Sequence, residues 1–228
     1  MKHILCCLLC LLPAFLLGQS RQGLYGGISA GLSHYNTYWY YYRYDGNPAH
    51  DNYPSHSTTR PVLGLSLEKK GLVEAGPVQF DLGGDLLLGV GGKTKGEWLP
   101  GEETVSKSGW TLGLQGNFSA AFPLAGGAIT PVIGLGPQIM MLHNNGKPSG
   151  DFASRSYYNY ADGWNEFTFL LQATAGVDFK ISSVVITPQL HVGVVGFSSS
   201  DWEPNEDGVD MNSIPGMFGF SIKVAKRF

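Results

Sequence analysis

The sequence predicts an all-β fold, an eight-stranded antiparallel transmembrane β-barrel wound as an up-and-down meander. Three observations predict it. Eight segments alternate apolar and polar residues at period two. The connections between them alternate long and short. The less apolar face of each segment is dominated by Gly, Ser, Thr, Gln and Asn rather than by the Lys and Glu of a water-facing sheet. Composition removes the competing classes. Charged residues make up only 14% of the 228, against roughly 25% in a soluble domain. A mean hydropathy of −0.03 leaves no room for repeated helical spans of about 20 apolar residues. Low charge combined with 12% aromatic residues argues against disorder. A formal charge of −3 gives no electrostatic reason for a nucleic-acid partner.

Residues 1–18 read as a secretory signal peptide: Lys2 precedes an unbroken apolar run to Leu17, at about 14 residues too short to span a bilayer. Cleavage is expected after Gly18 or Ser20, which leaves 21–228 as the barrel. The three cysteines, Cys6, Cys7 and Cys10, all fall in the leader, and none follows a lipidation pattern. The exported chain therefore has no disulfide, thiol nucleophile or cysteine metal site.

The first segment sets Leu24, Ile28 and Leu32 against Gly27, Ser29 and Ser33, and the second sets Leu63, Leu65 and Leu67 against Gly64, Ser66 and Glu68. The third opposes Phe80, Leu82, Leu86 and Leu88 to Asp81, Gly83, Asp85 and Gly89. In the fourth, Trp110, Leu112, Leu114 and Phe118 face away from Thr111, Gln115, Asn117 and Ser119. The fifth alternates Ile129, Ile133, Leu135 and Ile139 with Thr130, Gly134, Gly136 and Gln138. The sixth alternates Phe167, Phe169, Leu171 and Phe179 with Thr168, Gln172, Thr174 and Asp178. The seventh pits Ile186, Leu190 and Val192 against Thr187, Gln189 and His191. The eighth pits Phe218, Phe220, Ile222 and Val224 against Gly219, Ser221 and Lys223.

Connections after the first, third, fifth and seventh segments are long, at roughly 36–60, 93–109, 142–166 and 198–215; the others are short, ending in a tight Ser182–Ser183 turn. Outer-membrane barrels sort their loops in this way, which places both termini in the periplasm. Charge on the lipid face costs about 2–4 kcal/mol at the midplane and roughly 0–1 near the interface. Lys69 and Lys226, the lipid-face charges in these registers, both stand at strand ends. Ten of the eleven tyrosines lie at or beyond the long-loop ends, Tyr25 excepted, and each long loop carries a tryptophan: Trp39, Trp98, Trp164 or Trp202. Pro137, inside the fifth strand, should cost a ladder bond or mark a bulge.

The last strand, FGFSIKVAKRF, alternates apolar residues and ends in Phe228. It resembles the C-terminal strand read by the outer-membrane assembly machinery. With eight strands and long outer loops, residues 21–228 resemble the small outer-membrane β-barrel family related to OmpA and OmpX. The Gly-Gln at the leader boundary and the Thr130–Pro131 and Thr187–Pro188 pairs are similar to members from Bacteroidota. The resemblance implies an outer-membrane location, Phe228 as assembly signal, and lipid and lipopolysaccharide as surroundings. It carries over no catalytic motif and no cofactor.

Candidate sites each have a structural reading beside the functional one. Gly91, Gly92, Lys93 and Thr94 suggest a phosphate loop, but Leu87 stands where its first glycine belongs and no helix follows, so a glycine-rich strand end is the reading. Glu68, Asp81, Asp85 and Asp178 oppose Lys180, Lys223 and Arg227 on the lumen face, with His191 near in depth. They are expected to pair into a network that plugs the lumen, a proton path being the alternative. The acidic segment SDWEPNEDGVD fits no calcium-loop spacing and reads as a solvated loop. Trp39, Tyr40, Tyr41 and Tyr42, with Trp202, offer rigid contact area to a glycan or protein ligand, or else form a rim belt. His34 is the best-placed outward histidine for a lipid A-modifying enzyme, yet Ser33 points to the opposite face. The expected function is therefore non-enzymatic, a structural or surface-recognition barrel acting through external loops. A small pore or a lipid A-modifying enzyme is the alternative.

Overall fold

The computed structural model describes residues 21–41, 55–97, 103–106, 108–145, 163–200 and 211–228. Its strands are β1 (Gly23–Tyr41), β2 (Ser55–Ala75), β3 (Val78–Val90), β4 (Lys93–Glu97) and β5 (Glu103–Ser106), followed by β6 (Ser108–Ala121), β7 (Ile129–Asn145), β8 (Gly163–Ile181), β9 (Val184–Ser200) and β10 (Met211–Arg227). Eight of them, β1–β3 and β6–β10, pair antiparallel with their neighbours, and β1 pairs with both β2 and β10, so the sheet closes. Closure is what a sheet in lipid requires, because an open edge would leave its amides unpaired. One end carries the tight turns and the C-terminus (the turn end); at the other, β1 leaves at Tyr41 and β2 enters at Ser55 (the loop end).

Burial is inverted relative to a water-soluble protein. Leu65 and Leu114 are 61% exposed on the outside, whereas Gln138 and Thr130 are fully buried inside. The period-two alternation thus puts branched apolar side chains toward lipid and small or amide side chains into a lumen that eight strands make narrow. No described helix is long and apolar enough to cross a membrane; the apolar outer surface belongs to strands.

The strands run further toward the loop end than the alternation indicates. β1 continues through Tyr41 and β2 begins at Ser55, so much of the expected 36–60 loop is wall; β4 and β5 form a hairpin inside the expected 93–109 loop. The wall was hidden in the sequence because alternation of apolar with polar residues stops where the strands leave lipid, while backbone pairing continues. Strands of 17–21 residues, as in β1, β2 and β7–β10, exceed the roughly 9–11 needed to cross a bilayer. The surplus projects beyond the apolar band.

Two of the wall's irregularities bear on the site. At the turn end of β2 the register with β3 jumps between Lys69↔Leu82 and Val73↔Phe80, and Gly71 sits at φ +62 in the resulting bulge. At Pro137 the β6–β7 ladder lacks the pairs between Gln115↔Gln138 and Phe118↔Leu135, although the register on either side is the same. The proline interrupts the ladder without a bulge. Gly136 lies so close to the Gly116 backbone that a Cβ there would collide with the Gly116 carbonyl.

Candidate functional site: a plugged lumen and a projecting wall

The bulge at Gly71 sets the geometry of the inner network. Its N–H donates to Asp81 Oδ1 at 2.8 Å, and Lys70 just before it is buried in the lumen. From Asp81 a continuous chain of opposite charges climbs the lumen. Arg21 Nη1 donates to Asp81 Oδ1 at 2.8 Å, and its Nη2 pairs with Asp178. Asp178 Oδ2 also meets Lys70 Nζ at 2.9 Å, while its Oδ1 accepts from Thr187 Oγ1 at 2.7 Å. Lys70 reaches Glu68 Oε2 at 3.0 Å; Glu68 pairs in turn with Lys223, which lies 3.5 Å from Asp85 Oδ1. Each charge between the two ends touches two of the opposite sign, the arrangement in which buried ions can persist.

Of the seven residues the sequence assigns to this network, the structure joins Glu68, Asp81, Asp85, Asp178 and Lys223. Lys180 is buried at the same end. Arg227 lies exposed at the end of β10, its side chain packed over Gly23. The cations the sequence reading missed are Arg21 and Lys70. Lys70 has the parity of Glu68, so carrying the alternation two residues further finds it. Arg21 sits at the leader boundary, before any alternation starts.

Above the charges lies an amide and hydroxyl layer. Gln172 Nε2 donates to His191 Nδ1 at 2.6 Å, which leaves Nε2–H to donate to Ser221 Oγ at 2.8 Å. Ser221 and His191 thus touch, but an amide rather than a carboxylate orients the ring, and the pair is enclosed by the barrel wall. A cavity of about 30 Å³ beside them is lined by Asp85, Gln115, Gln189, His191 and Lys223, and one of about 10 Å³ lies among Glu68, Lys70, Asp81 and Asp178. These hold at most a water or two. Next comes an apolar layer: Tyr35, Met140, Leu142, Leu170 and Met217 cluster across the bore. Tyr35, counted from sequence with the rim aromatics, is one of its members, 4% exposed.

Beyond the apolar layer Arg60 is buried and draws strands together. Its guanidinium donates to the carbonyls of Gly91 (3.1 Å), Trp110 (2.8 Å) and His143 (3.0 Å) and to Thr111 Oγ1 (2.8 Å). One side chain on β2 therefore binds backbone at the ends of β3, β6 and β7. Near the same level Glu166 Oε1 accepts from Ser198 Oγ at 2.8 Å, and His143, hydrogen-bonded to Asn165 at 2.8 Å, stacks on Trp110 with ring centres 5.5 Å apart. Sequence reading missed Arg60 because it fell at the edge of a segment read as loop. Among the described residues no group of three or more His, Cys, Asp or Glu could hold a metal ion.

Trp39, Tyr40 and Tyr41 are not in a loop: they belong to β1, opposite Ser213, Asn212 and Met211. Tyr42, Trp202 and the acidic stretch 201–210 lie outside the described residues. Phe228 ends the chain on the lipid side of the turn end, its N–H donating to the Leu24 carbonyl at 3.0 Å.

No protein-family model matches the chain, and no curated protein matches it. Solved structures do. The outer membrane protein OprG from Pseudomonas aeruginosa aligns over 92% of this chain and 99% of its own, at 13% identity and a TM-score of 0.54. The outer membrane protease OmpT from Escherichia coli aligns over 93% of this chain and 100% of its own, at 10% identity and a TM-score of 0.55. At such identities the likeness is one of fold: a closed antiparallel barrel of the kind built for the bacterial outer membrane.

Proposed function

We propose that the protein is an integral outer-membrane barrel with both termini in the periplasm, a non-enzymatic recognition protein whose projecting wall and external loops meet a glycan or protein ligand. The observation that carries this reading is the contrast between the two ends of the bore. Inside, an ion-pair chain and an apolar cluster occupy the bore among the described residues. The wall instead spends its surplus length outside the apolar band, where Trp39, Tyr40 and Tyr41 continue β1. Tyr and Trp give large contact area at low entropic cost. Trp202 and Tyr42 join them as candidates from the sequence. Phe228 serves assembly.

Whole-cell crosslinking tests the reading, comparing the intact protein with a deletion inside 42–54 that leaves β1 and β2 whole and with a W39A/Y40A/Y41A variant. The expected outcome is loss of a captured surface partner with the heat-modifiable gel shift of a folded barrel kept. Identical capture by all three proteins would mean the projection is only a rim. Recovery of the wild-type protein in the soluble fraction would remove the membrane assignment itself.

A further inference from the structure

The Gly91–Gly92–Lys93–Thr94–Lys95 segment is no phosphate loop, yet the fold gives it a definite geometry. Gly91 and Gly92 have φ of +71 and +86, left-handed values that favour glycine. A Cβ at Gly92 would collide with the Thr59 carbonyl. Between β3 and β4 this kink shifts the register along β2, the partner both strands share, and transfers the other edge of the chain from β6 to β5. Arg60 Nε holds it from the lumen side through the Gly91 carbonyl at 3.1 Å.

The transfer aligns residues in rows around the outside of the wall. Positions paired across an antiparallel ladder share a face. Phe220–Leu32–Pro61 is the last row apolar on β10, β1 and β2 alike. One step further along stands Phe218–His34–Thr59–Lys93, with His34 Nδ1 and Thr59 Oγ1 2.8 Å apart, and then Gly216–Asn36–Ser57–Lys95–Val105. Acids enter only in the following row, at Glu97 and its partner Glu103. On β1, β2 and β4 the positions therefore change over two rows from apolar residues to hydrogen-bonding groups and two lysines, while β10 still carries Phe218. Interfacial lysines are worth about 1 kcal/mol each against an anionic surface.

We propose that Lys93 and Lys95, set by the Gly91–Gly92 kink in line with Thr59 and Ser57 just past the apolar band, form a binding site for the phosphate groups of lipid A. The proposal rests on the reading that the loop end faces outward. It adds a lipid to the ligands considered there, on a face contiguous with the lipid contact.

The test uses the purified full-length protein in detergent, with retention of lipid A measured by native mass spectrometry. Four proteins are compared: wild type, K93Q/K95Q, K93R/K95R, and K69Q/K226Q, which removes the lysines of the turn end. Lipid A with and without its phosphates, phosphatidylglycerol and excess inorganic phosphate are the probes. K93Q/K95Q is expected to lose roughly tenfold or more in retention, the arginine pair to keep it, and the K69Q/K226Q control to behave as wild type. Dephosphorylated lipid A should bind every protein at the level of K93Q/K95Q. If the double variant loses its heat-modifiable shift, K93Q and K95Q singly should each lose about fivefold. Equal retention by wild type and K93Q/K95Q overturns the site. Displacement of lipid A by inorganic phosphate reduces it to an unspecific anion site and overturns it too. A preference for phosphatidylglycerol over lipid A contradicts the outward orientation as well. Loss of crosslinked surface partners from the β1 variants with lipid A retention unchanged bears only on the recognition reading.

Discussion

The ring of Phe228 lies over Gly26. A Cβ at Gly26 would come within 2.8 Å of that ring, and the Phe228 N–H holds the Leu24 carbonyl, so the last residue of the chain caps its first strand at the seam where the barrel closes. Gly26 is the bare spot that accepts the ring. Gly31, further along β1, meets a different neighbour: its Cβ would strike the Phe220 carbonyl, which is backbone.

These two glycines give the first prediction. G26A should push aside only the far end of a side chain, with a small loss of stability. G31A must move a strand, and overpacking of that kind costs about 1–3 kcal/mol. Urea unfolding in lipid vesicles, followed by tryptophan fluorescence, should rank G31A well below G26A; equal midpoints would mean the β1–β10 seam yields at both sites.

Removing a cation from the middle of the charge chain should be severe. K70M leaves Glu68 and Asp178 short of a partner, and breaking a buried pair in this way costs about 3–5 kcal/mol. R227M, at an exposed position, should cost about 1 kcal/mol or less whatever it pairs with there. The comparison of their unfolding midpoints decides whether Lys70 or Arg227 belongs to the network.

No stable conductance is expected from pure protein in planar bilayers, because Tyr35, Met140, Leu142, Leu170 and Met217 leave a dry layer across the bore. Reproducible open-channel steps would show that this layer parts, and would favour a transport role.

Arg60 should act locally. R60A strands carbonyls at Gly91, Trp110 and His143, each loss worth about 1–3 kcal/mol where the group stays buried. Amide hydrogen exchange should quicken at the loop ends of β3, β6 and β7 and hold steady near Asp178. R60K, a point charge without the planar fork, should recover only part of the protection.

How far the sequence reveals this molecule depends on what each residue touches. Wherever a strand crosses lipid, two environments impose two chemistries, and Leu63 through Leu67 alternating with Gly64 and Ser66 cannot be misread. Past the lipid both faces meet water, so β1 from Asn36 to Tyr41 and the whole β4–β5 hairpin carry no comparable signature. The four acids of the lumen were legible because a charge between apolar neighbours is conspicuous. Lys70 was obscured by a bulge, Arg21 and Arg60 by their position at segment edges. Pro137 announced a broken ladder, but only the coordinates show that the register survives it.

The charge chain also says something about order of assembly. Its members come from just before β1, from β2 and β3, and then from β8 and β10. In a chain whose last strand is undocked, Asp85 lacks its partner Lys223 and Glu68 keeps only Lys70. A half-zipped sheet is thus a polyelectrolyte that keeps water about it, and becomes dry only when its two ends meet. Full pairing of these charges is a property of the finished ring, and it makes the closing step between β1 and β10 self-checking.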